Sequence, residues 1–159
     1  MIDYNKLSPM MKHYFSIKKQ YPDCIILYRL GDFYEMFFDD AIKASKILDI
    51  ALTGRDCGLE ERAPMCGVPF HAVDAYIPKL LNAGEKVAIC EQLSDPKASK
   101  GMVERGVVRV ITPGTITESE MLEDGSNNYL LSVFNSQENF GLSWVDLSTG
   151  ELKTTKINA

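Results

Sequence analysis

The sequence predicts an α/β (α+β) fold in which helices flank a mixed β-sheet, followed by the first strands of a second α/β domain. Three observations support this prediction. Apolar residues recur at helical spacing in three segments before Gly84. Short apolar runs, typical of strands, lie between these segments. Three further runs follow one another without an intervening helix, and the 159 residues suffice for one domain and the beginning of another.

Composition indicates an ordinary globular protein. Hydrophobic residues make up 45% of the chain and charged residues 25%, unlike disordered or fibrous proteins. No apolar run approaches the roughly 20 residues that span a bilayer, and the N-terminus lacks the pattern of a secretory signal. We therefore expect a cytoplasmic protein without a membrane partner. The cysteines show no C-x-x-C spacing, so we interpret them as buried, reduced thiols. They are Cys24, Cys57, Cys66 and Cys90.

The charge of the chain is unevenly distributed. A net charge of −5 opposes non-specific binding to nucleic acid, because neutralisation of phosphates drives such binding. Residues 97–110, however, carry four basic groups and one acidic group, whereas residues 117–125 carry four acidic groups. The basic strip is compatible with a surface that faces DNA, although a solvated polar surface is the more common explanation.

The first helix and first strand have clear sequence signals. Ser8 can cap a helix and Pro9 suits its first turn, so we expect the helix to begin here and to end before Pro22. The apolar run at 24–30 then predicts a buried strand.

A Gly-Asp pair at 31–32 predicts a turn, and residues 33–38 predict a second strand. Because side chains alternate along a strand, Phe33, Glu35 and Phe37 should share one face. A carboxylate between two phenylalanines is unusual, since burying it without a partner costs free energy. Composition alone favours strand residues beside a turn as the explanation.

A second helix is predicted after this strand, with Asp39 or Asp40 as its cap and Asp49 near its end. The charged stretch at 54–62 predicts an exposed loop. Residues 64–69 predict a short segment at the edge of the sheet.

The third helix is predicted at 73–81, where five apolar residues follow helical spacing, and Gly84 supplies the stop. Pro78 must lie in its first turn or kink it. Runs rich in Val and Ile predict two further strands, at 86–93 and 106–112.

The acidic and Gly-Ser-Asn-rich stretch at 121–128 predicts a linker between a first domain, 1–120, and an incomplete second domain, 129–159. Three strands without a covering helix should leave apolar surface that needs a partner. These strands are predicted at 129–135, 140–147 and 151–157.

Several blocks of the sequence resemble one known family. The run Tyr-Arg-Leu-Gly-Asp-Phe-Tyr-Glu-Met-Phe at 28–37 is similar to the Phe-x-Glu reader of the MutS family of DNA mismatch-repair proteins. Blocks at 64–72, 87–92 and 108–115 also resemble that family, in the same order. The similarity covers most of residues 7–120, and the strands after Tyr129 resemble the start of the family's connector domain.

The resemblance implies that this domain binds mismatched double-stranded DNA from the minor groove. Phe33 would stack on the mispaired base and Glu35 would form a hydrogen bond with it. Arg55 and Met65 match family positions near the DNA, and Arg105 falls in a stretch where a cation can steady the backbone. For these three residues, a solvated surface arginine or a core methionine is an equally good explanation.

The resemblance also implies ATP and magnesium as cofactors, and a homodimer, for full-length members of the family. The 159 residues contain no G-x-x-x-x-G-K-[ST] phosphate loop. We therefore expect this chain to be no enzyme and to bind no cofactor itself, and to depend on the remaining MutS domains as partners.

Two other functions are weighed against DNA recognition. Cys66 and His71 are five residues apart and would suggest a cysteine nucleophile with its base, or half of a metal site, although no third orienting group and too few further ligands are evident. A protein-interaction module is the second alternative, because the acidic chain offers Phe33 as an anchor for a partner protein.

Overall fold

The computed structural model describes residues 3–94, 103–113, 127–136 and 139–158. The chain forms two units, Met1–Ile111 and Thr112–Ala159. Of the linker predicted at 121–128, residues 121–126 lie outside the described residues. The basic side chains Lys97 and Lys100 of the predicted strip also lie outside them.

The described residues of the first unit form three α-helices and a six-stranded sheet, which confirms the predicted fold class. The helices are α1 (Pro9–Gln20), α2 (Phe38–Leu48) and α3 (Ile77–Asn82). The strands are β1 (Cys24–Leu30), β2 (Phe33–Phe37), β3 (Thr53–Arg55), β4 (Ala63–Pro69), β5 (Lys86–Gln92) and β6 (Arg105–Ile111). No helix among the described residues is long and apolar enough to cross a membrane.

The sheet has the strand order β3-β4-β2-β1-β5-β6 and is mixed. β1 and β5 are parallel, whereas the other neighbours are antiparallel. In this register Glu35 of β2 lies opposite Tyr28 on one side and Gly67 on the other. Phe33 lies opposite Leu30 and Pro69. Both residues therefore stand on an inner strand, paired along both edges.

Helices cover the two faces of the sheet differently. The ring of Tyr14 in α1 lies 5.2 Å from the ring of Phe37 and 6.0 Å from that of Tyr28, measured between centroids. On the other face, α2 packs against β4, and the Cys66 thiol lies 3.5 Å from the carbonyl oxygen of Ala41. Alternation along β2 places Phe33 on the α1 face. Phe37 is fully buried beneath α1, but Phe33 remains 47% exposed.

The buried carboxylate of Asp40 joins helices α1 and α2 to the sheet. Asp40 of α2 accepts hydrogen bonds from the Tyr14 hydroxyl (2.7 Å), the Lys18 ammonium (2.8 Å) and the backbone N–H of Ile26 (3.1 Å). Burial, and then the charge of Asp40, raise the pKa of Tyr14, so its hydroxyl remains a donor. The three donors offset the cost of removing the carboxylate from water.

The start of α2 differs from the prediction. Phe38, predicted as a strand residue, begins the helix with a φ of 51°. Asp39 and Asp40 lie in the first turn and neither caps the helix, since no side chain accepts a hydrogen bond at the capping position. The physical reason is that the Asp40 carboxylate is committed to α1 and β1 instead of the first amides of its own helix.

The stretch predicted as an exposed loop at 54–62 is also corrected. It contains the end of the edge strand β3, and Cys57 within it is fully buried. The carbonyl of Cys57 accepts a hydrogen bond from the Ser8 N–H (2.8 Å), which ties this stretch to the start of α1. Residues 64–69 are not an edge segment, because β4 is paired with both β2 and β3.

The remaining helices follow the sequence signals more closely. Ser8 caps α1 by accepting a hydrogen bond from the Met11 N–H (3.4 Å). The helix predicted at 73–81 is divided into a 3₁₀ helix, Phe70–Ala75, and α3. Pro78 lies in the first turn of α3, as predicted. The predicted apolar face is buried at Val73, Ile77, Leu80 and Leu81.

In the second unit, the residues described at 127–136 and 139–158 form a three-stranded antiparallel sheet. Its strands, in sheet order, are β7 (Tyr129–Ser136), β8 (Asn139–Asp146) and β9 (Leu152–Asn158), which confirms the three predicted strands. Asp146 accepts hydrogen bonds from the N–H groups of Asn128 and Ser148 and from the Ser148 hydroxyl. These bonds, first that of the hydroxyl, lower the pKa of Asp146. Large apolar side chains stay exposed at Tyr129, Leu130, Leu131, Val133, Phe134, Phe140, Leu152 and Ile157.

We expect Asp40→Ala to lower the free energy of unfolding by about 2–4 kcal/mol, because it removes the acceptor of the buried Ile26 N–H and the anion that pairs with Lys18, and leaves the Tyr14 hydroxyl only the Phe37 carbonyl. Asp39→Ala is the matched control, since Asp39 lies in the same helical turn but is exposed. It should cost less than about 1 kcal/mol, the size of a helix-dipole interaction. Urea unfolding of both variants measures the difference. Equal losses would mean that the carboxylate of Asp40 does not hold the fold together.

Candidate nucleic-acid interface

Phe33 lies at the turn end of the β1–β2 hairpin, where it pairs with Leu30. The turn is formed by Gly31, whose φ is 56°, and Asp32. Positive φ values suit glycine because it has no Cβ to clash with the backbone. The hairpin continues past the part of the sheet that α1 covers, and almost half of the Phe33 side chain is exposed. The fold thus presents an aromatic ring at a defined position, without a covering element among the described residues.

Two residues brace this turn from the opposite face of the sheet. The Arg29 Nε donates a hydrogen bond to the Gly31 carbonyl (2.6 Å), and the Phe70 N–H donates to the Asp32 carbonyl (2.9 Å). The Arg29 guanidinium also lies 3.6 Å from the centre of the Phe70 ring, a close cation–π contact. The backbone that carries Phe33 is therefore fixed at two consecutive carbonyls.

No role was predicted for Arg29 or Phe70 from the sequence. They are 41 positions apart in the chain, and nothing in their local sequence indicates that they meet. The only available signal was their position inside the blocks 28–37 and 64–72 that resemble the MutS family.

Glu35, two residues beyond Phe33 on the same face, forms an ion pair with Arg55 of the edge strand β3. The Glu35 side chain is 15% exposed and the Arg55 side chain 36%. A Cβ at Gly67, which lies opposite Glu35, would come within 3.4 Å of the Glu35 Cγ and 3.1 Å of the Tyr34 carbonyl oxygen. Glycine at this position therefore leaves room for the Glu35 side chain beside β4.

Phe33 and Glu35 line a shallow pocket of about 370 Å³. The pocket also includes Met65, which faces the same side of the sheet and lies opposite Thr53 and Phe37. The Thr53 hydroxyl donates to the Met65 carbonyl (3.0 Å) and holds the edge strand in place. The other residues of the pocket are Ala51, Thr53, Cys66 and Gly67. The structure therefore brings Phe33, Glu35, Arg55 and Met65 together.

Arg105 does not belong to this pocket. It begins β6, at the other edge of the sheet, and its Nε donates to the Arg29 carbonyl (2.9 Å). A second nitrogen donates to the Val103 carbonyl (3.0 Å), and the guanidinium lies 5.4 Å from the centre of the Tyr28 ring. These contacts fasten the end of β1, which leads into the hairpin. Arg105 thus supports the β1–β2 hairpin from β6, across the intervening strand β5.

The geometry argues against Cys66 as a nucleophile. Cys66 is 1% exposed, and burial, followed by the charge of Asp40, raises the pKa of its thiol to about 11. His71 is exposed, and its ring contacts Phe70. All four cysteines are free and buried, as predicted. No cluster of three or more potential metal ligands occurs within the described ranges.

The sequence was compared with known proteins. The family model described as MutS domain I matches residues 8–120. The chain is 60% identical over 157 residues to the DNA mismatch repair protein MutS of Clostridioides difficile (strain 630), covering 99% of this chain and 17% of that protein. It is 60% identical over 151 residues to the DNA mismatch repair protein MutS of Acetivibrio thermocellus. It is 61% identical over 151 residues to the protein of the same name from Alkaliphilus metalliredigens. In both cases 95% of this chain and 17% of the relative are covered.

We expect the Cys66 thiol to react with iodoacetamide at pH 8 at least about 100-fold more slowly in the native chain than in urea, because burial suppresses both ionisation and access. Peptide mass spectrometry reads the modification at each cysteine separately. Labelling of native Cys66 at the rate of a free thiol would contradict the buried position and reopen the nucleophile hypothesis.

Proposed function

The chain belongs to the MutS family, with residues 8–120 matching MutS domain I, and from this premise we propose that it recognises mispaired bases in double-stranded DNA. The observation that carries the proposal is Phe33, which stands 47% exposed on a braced hairpin beside the ion-paired Glu35. An exposed aromatic on a rigid support suits insertion between bases. The relatives are named as mismatch-repair proteins, but the chain spans only about 17% of their length.

Phe33 is the inserted side chain in this proposal. A wedge between two base pairs must unstack them and kink the duplex, which costs a few kcal/mol per step. A mismatched step has already lost part of the pairing that resists this deformation, so the same wedge meets a smaller cost there. Hydrogen bonds hold the Gly31 and Asp32 carbonyls in place. On insertion the DNA therefore deforms, and the Phe33 ring does not move aside.

Glu35 is the base-contacting polar group. It lies two residues from Phe33 on the same face, about 7 Å along the strand, which is close to two base-pair steps of about 3.4 Å each. Its carboxylate can accept a hydrogen bond from a base beside the inserted ring. Met65 contributes an adaptable apolar wall to the same pocket.

The charge of the chain limits how tightly it holds DNA unaided. With a net charge of −5, few phosphates are neutralised, and non-specific affinity depends on such contacts. The proposal therefore includes the remaining MutS domains as partners that supply backbone contacts. ATP and magnesium binding, and dimerisation, belong to those domains in the full-length protein.

We expect Phe33→Ala to weaken binding to a single-mismatch duplex by about 5- to 100-fold, the range for loss of one base–aromatic stack. Affinity for the matched homoduplex should change by less than about threefold. Fluorescence anisotropy at low salt measures both affinities, with the chain alone and joined to the remaining domains of the Clostridioides difficile relative. Phe134→Ala is the matched control, since Phe134 is 70% exposed but lies in the second unit.

Loss of discrimination in Phe33→Ala but not in Phe134→Ala would support the proposal. If neither the isolated chain nor the joined protein prefers the mismatch, the proposal is wrong. Phe33 would then be better explained as an anchor for a partner protein, the alternative that the exposed ring also fits.

A further inference from the structure

The ion pair between Glu35 and Arg55 involves one of the two carboxylate oxygens of Glu35. The Arg55 guanidinium donates to Oε2 of Glu35, whereas Oε1 accepts no hydrogen bond from a described residue. Glu35 lines the pocket beside Phe33, and Arg55 lies against its Oε2 atom. One oxygen is thus held by the protein and the other is available to a ligand.

From this arrangement we propose that Arg55 is a positioning residue for Glu35 and does not act primarily as a contact to DNA phosphate. Arg55 holds Oε2 so that Oε1 faces the pocket as an acceptor for an N–H group of the mispaired base. The inference rests on the proposed function, since it concerns how the same pocket selects its base.

The chain topology supports a positioning role. Arg55 stands on β3, and β4 lies between β3 and β2, so its side chain must cross β4 to reach Glu35. Neighbouring strands are about 4.8 Å apart, so the crossing extends the arginine over the sheet instead of outward to solvent. An arginine free to bind phosphate would point away from the sheet. Arg62, on the adjacent loop, is exposed, and its side chain lies beside Gly54 of β3 without reaching Glu35.

The opposite charges of Glu35 and Arg55 reduce the repulsion between a carboxylate at this site and the DNA phosphates. A lone carboxylate beside DNA is repelled by the phosphates, and its protonated form would be a donor as well as an acceptor. The guanidinium of Arg55 lies against the Glu35 carboxylate and offsets its negative charge within the protein, while one carboxylate oxygen stays open as an acceptor. The pocket therefore favours a base edge that offers an N–H donor, such as the guanine amine in the minor groove.

A double-mutant cycle between Arg55 and Glu35 tests the inference. Binding of homoduplex and single-mismatch DNA is measured for wild type, Arg55→Gln, Glu35→Gln and the double variant, as the full chain and joined to the relative's remaining domains. We expect Arg55→Gln to lower the ratio of mismatch to homoduplex affinity by about 5-fold or more. In the Glu35→Gln background the same change should alter that ratio by less than about twofold, because the carboxylate to be positioned is already gone.

Two further variants serve as controls. Arg62→Gln removes an equal charge from the neighbouring loop without breaking the ion pair, so its ratio should stay at the wild-type value. Arg55→Lys keeps a cation within reach of Glu35 and should retain most of the discrimination. A thermal melt of each variant shows whether a loss in Arg55→Gln is caused by unfolding.

The results that would contradict the role of Arg55 differ from those that would contradict the proposed function. If Arg55→Gln weakens both duplexes equally, and does so whether residue 35 is Glu or Gln, Arg55 is a phosphate contact and the inference is wrong. Unchanged or improved discrimination in Arg55→Gln also overturns it. A wild-type protein that does not distinguish the duplexes in the joined form contradicts the proposed function itself, which separates that failure from a failure of the Arg55 assignment.

Discussion

The buried carboxylate of Asp40 is the interaction on which the rest of the first unit depends. A single side chain receives donors from α1 and from the backbone of β1, and it belongs to the first turn of α2. An unpartnered carboxylate could not remain in the core, so these elements must meet at one point. The junction between β2 and α2 is fixed as a result, and Phe38 adopts a positive φ to satisfy it.

This junction determines how the other end of β2 is presented. Phe37 lies beneath α1 beside the Asp40 network, whereas Phe33, four residues earlier, extends past the helix. A paired strand of five residues is stiff, so a fixed inner end gives a fixed outer end. Arg29, Phe70 and Arg105 add local support at the turn and at the end of β1. Stability in the core and geometry at the pocket are therefore linked through one strand.

Local sequence signals predicted the elements whose boundaries depend on local chemistry. Ser8 and Pro9 fixed the start of α1 and the apolar run at 24–30 fixed β1, both as found, and of the two positions predicted for Pro78, a first helical turn or a kink, the structure has the first. Errors arose where a distant partner overrides the local preference. Asp40 is a strong capping residue by type, but Tyr14 and Ile26 claim its carboxylate. The stretch at 54–62 reads as a charged loop, yet Cys57 is buried against the start of α1.

The sequence by itself determined that Phe33 and Glu35 share one face of a strand, because strand alternation is a property of the covalent chain. Its resemblance to the MutS family also singled out Arg55, Met65 and Arg105. Only the tertiary structure decided that Arg55 reaches Glu35 across an intervening strand, that Met65 lines the same pocket, and that Arg105 lies at the opposite edge. Such pairings depend on strand order and register, which arise from contacts between segments far apart in sequence. No local periodicity records them.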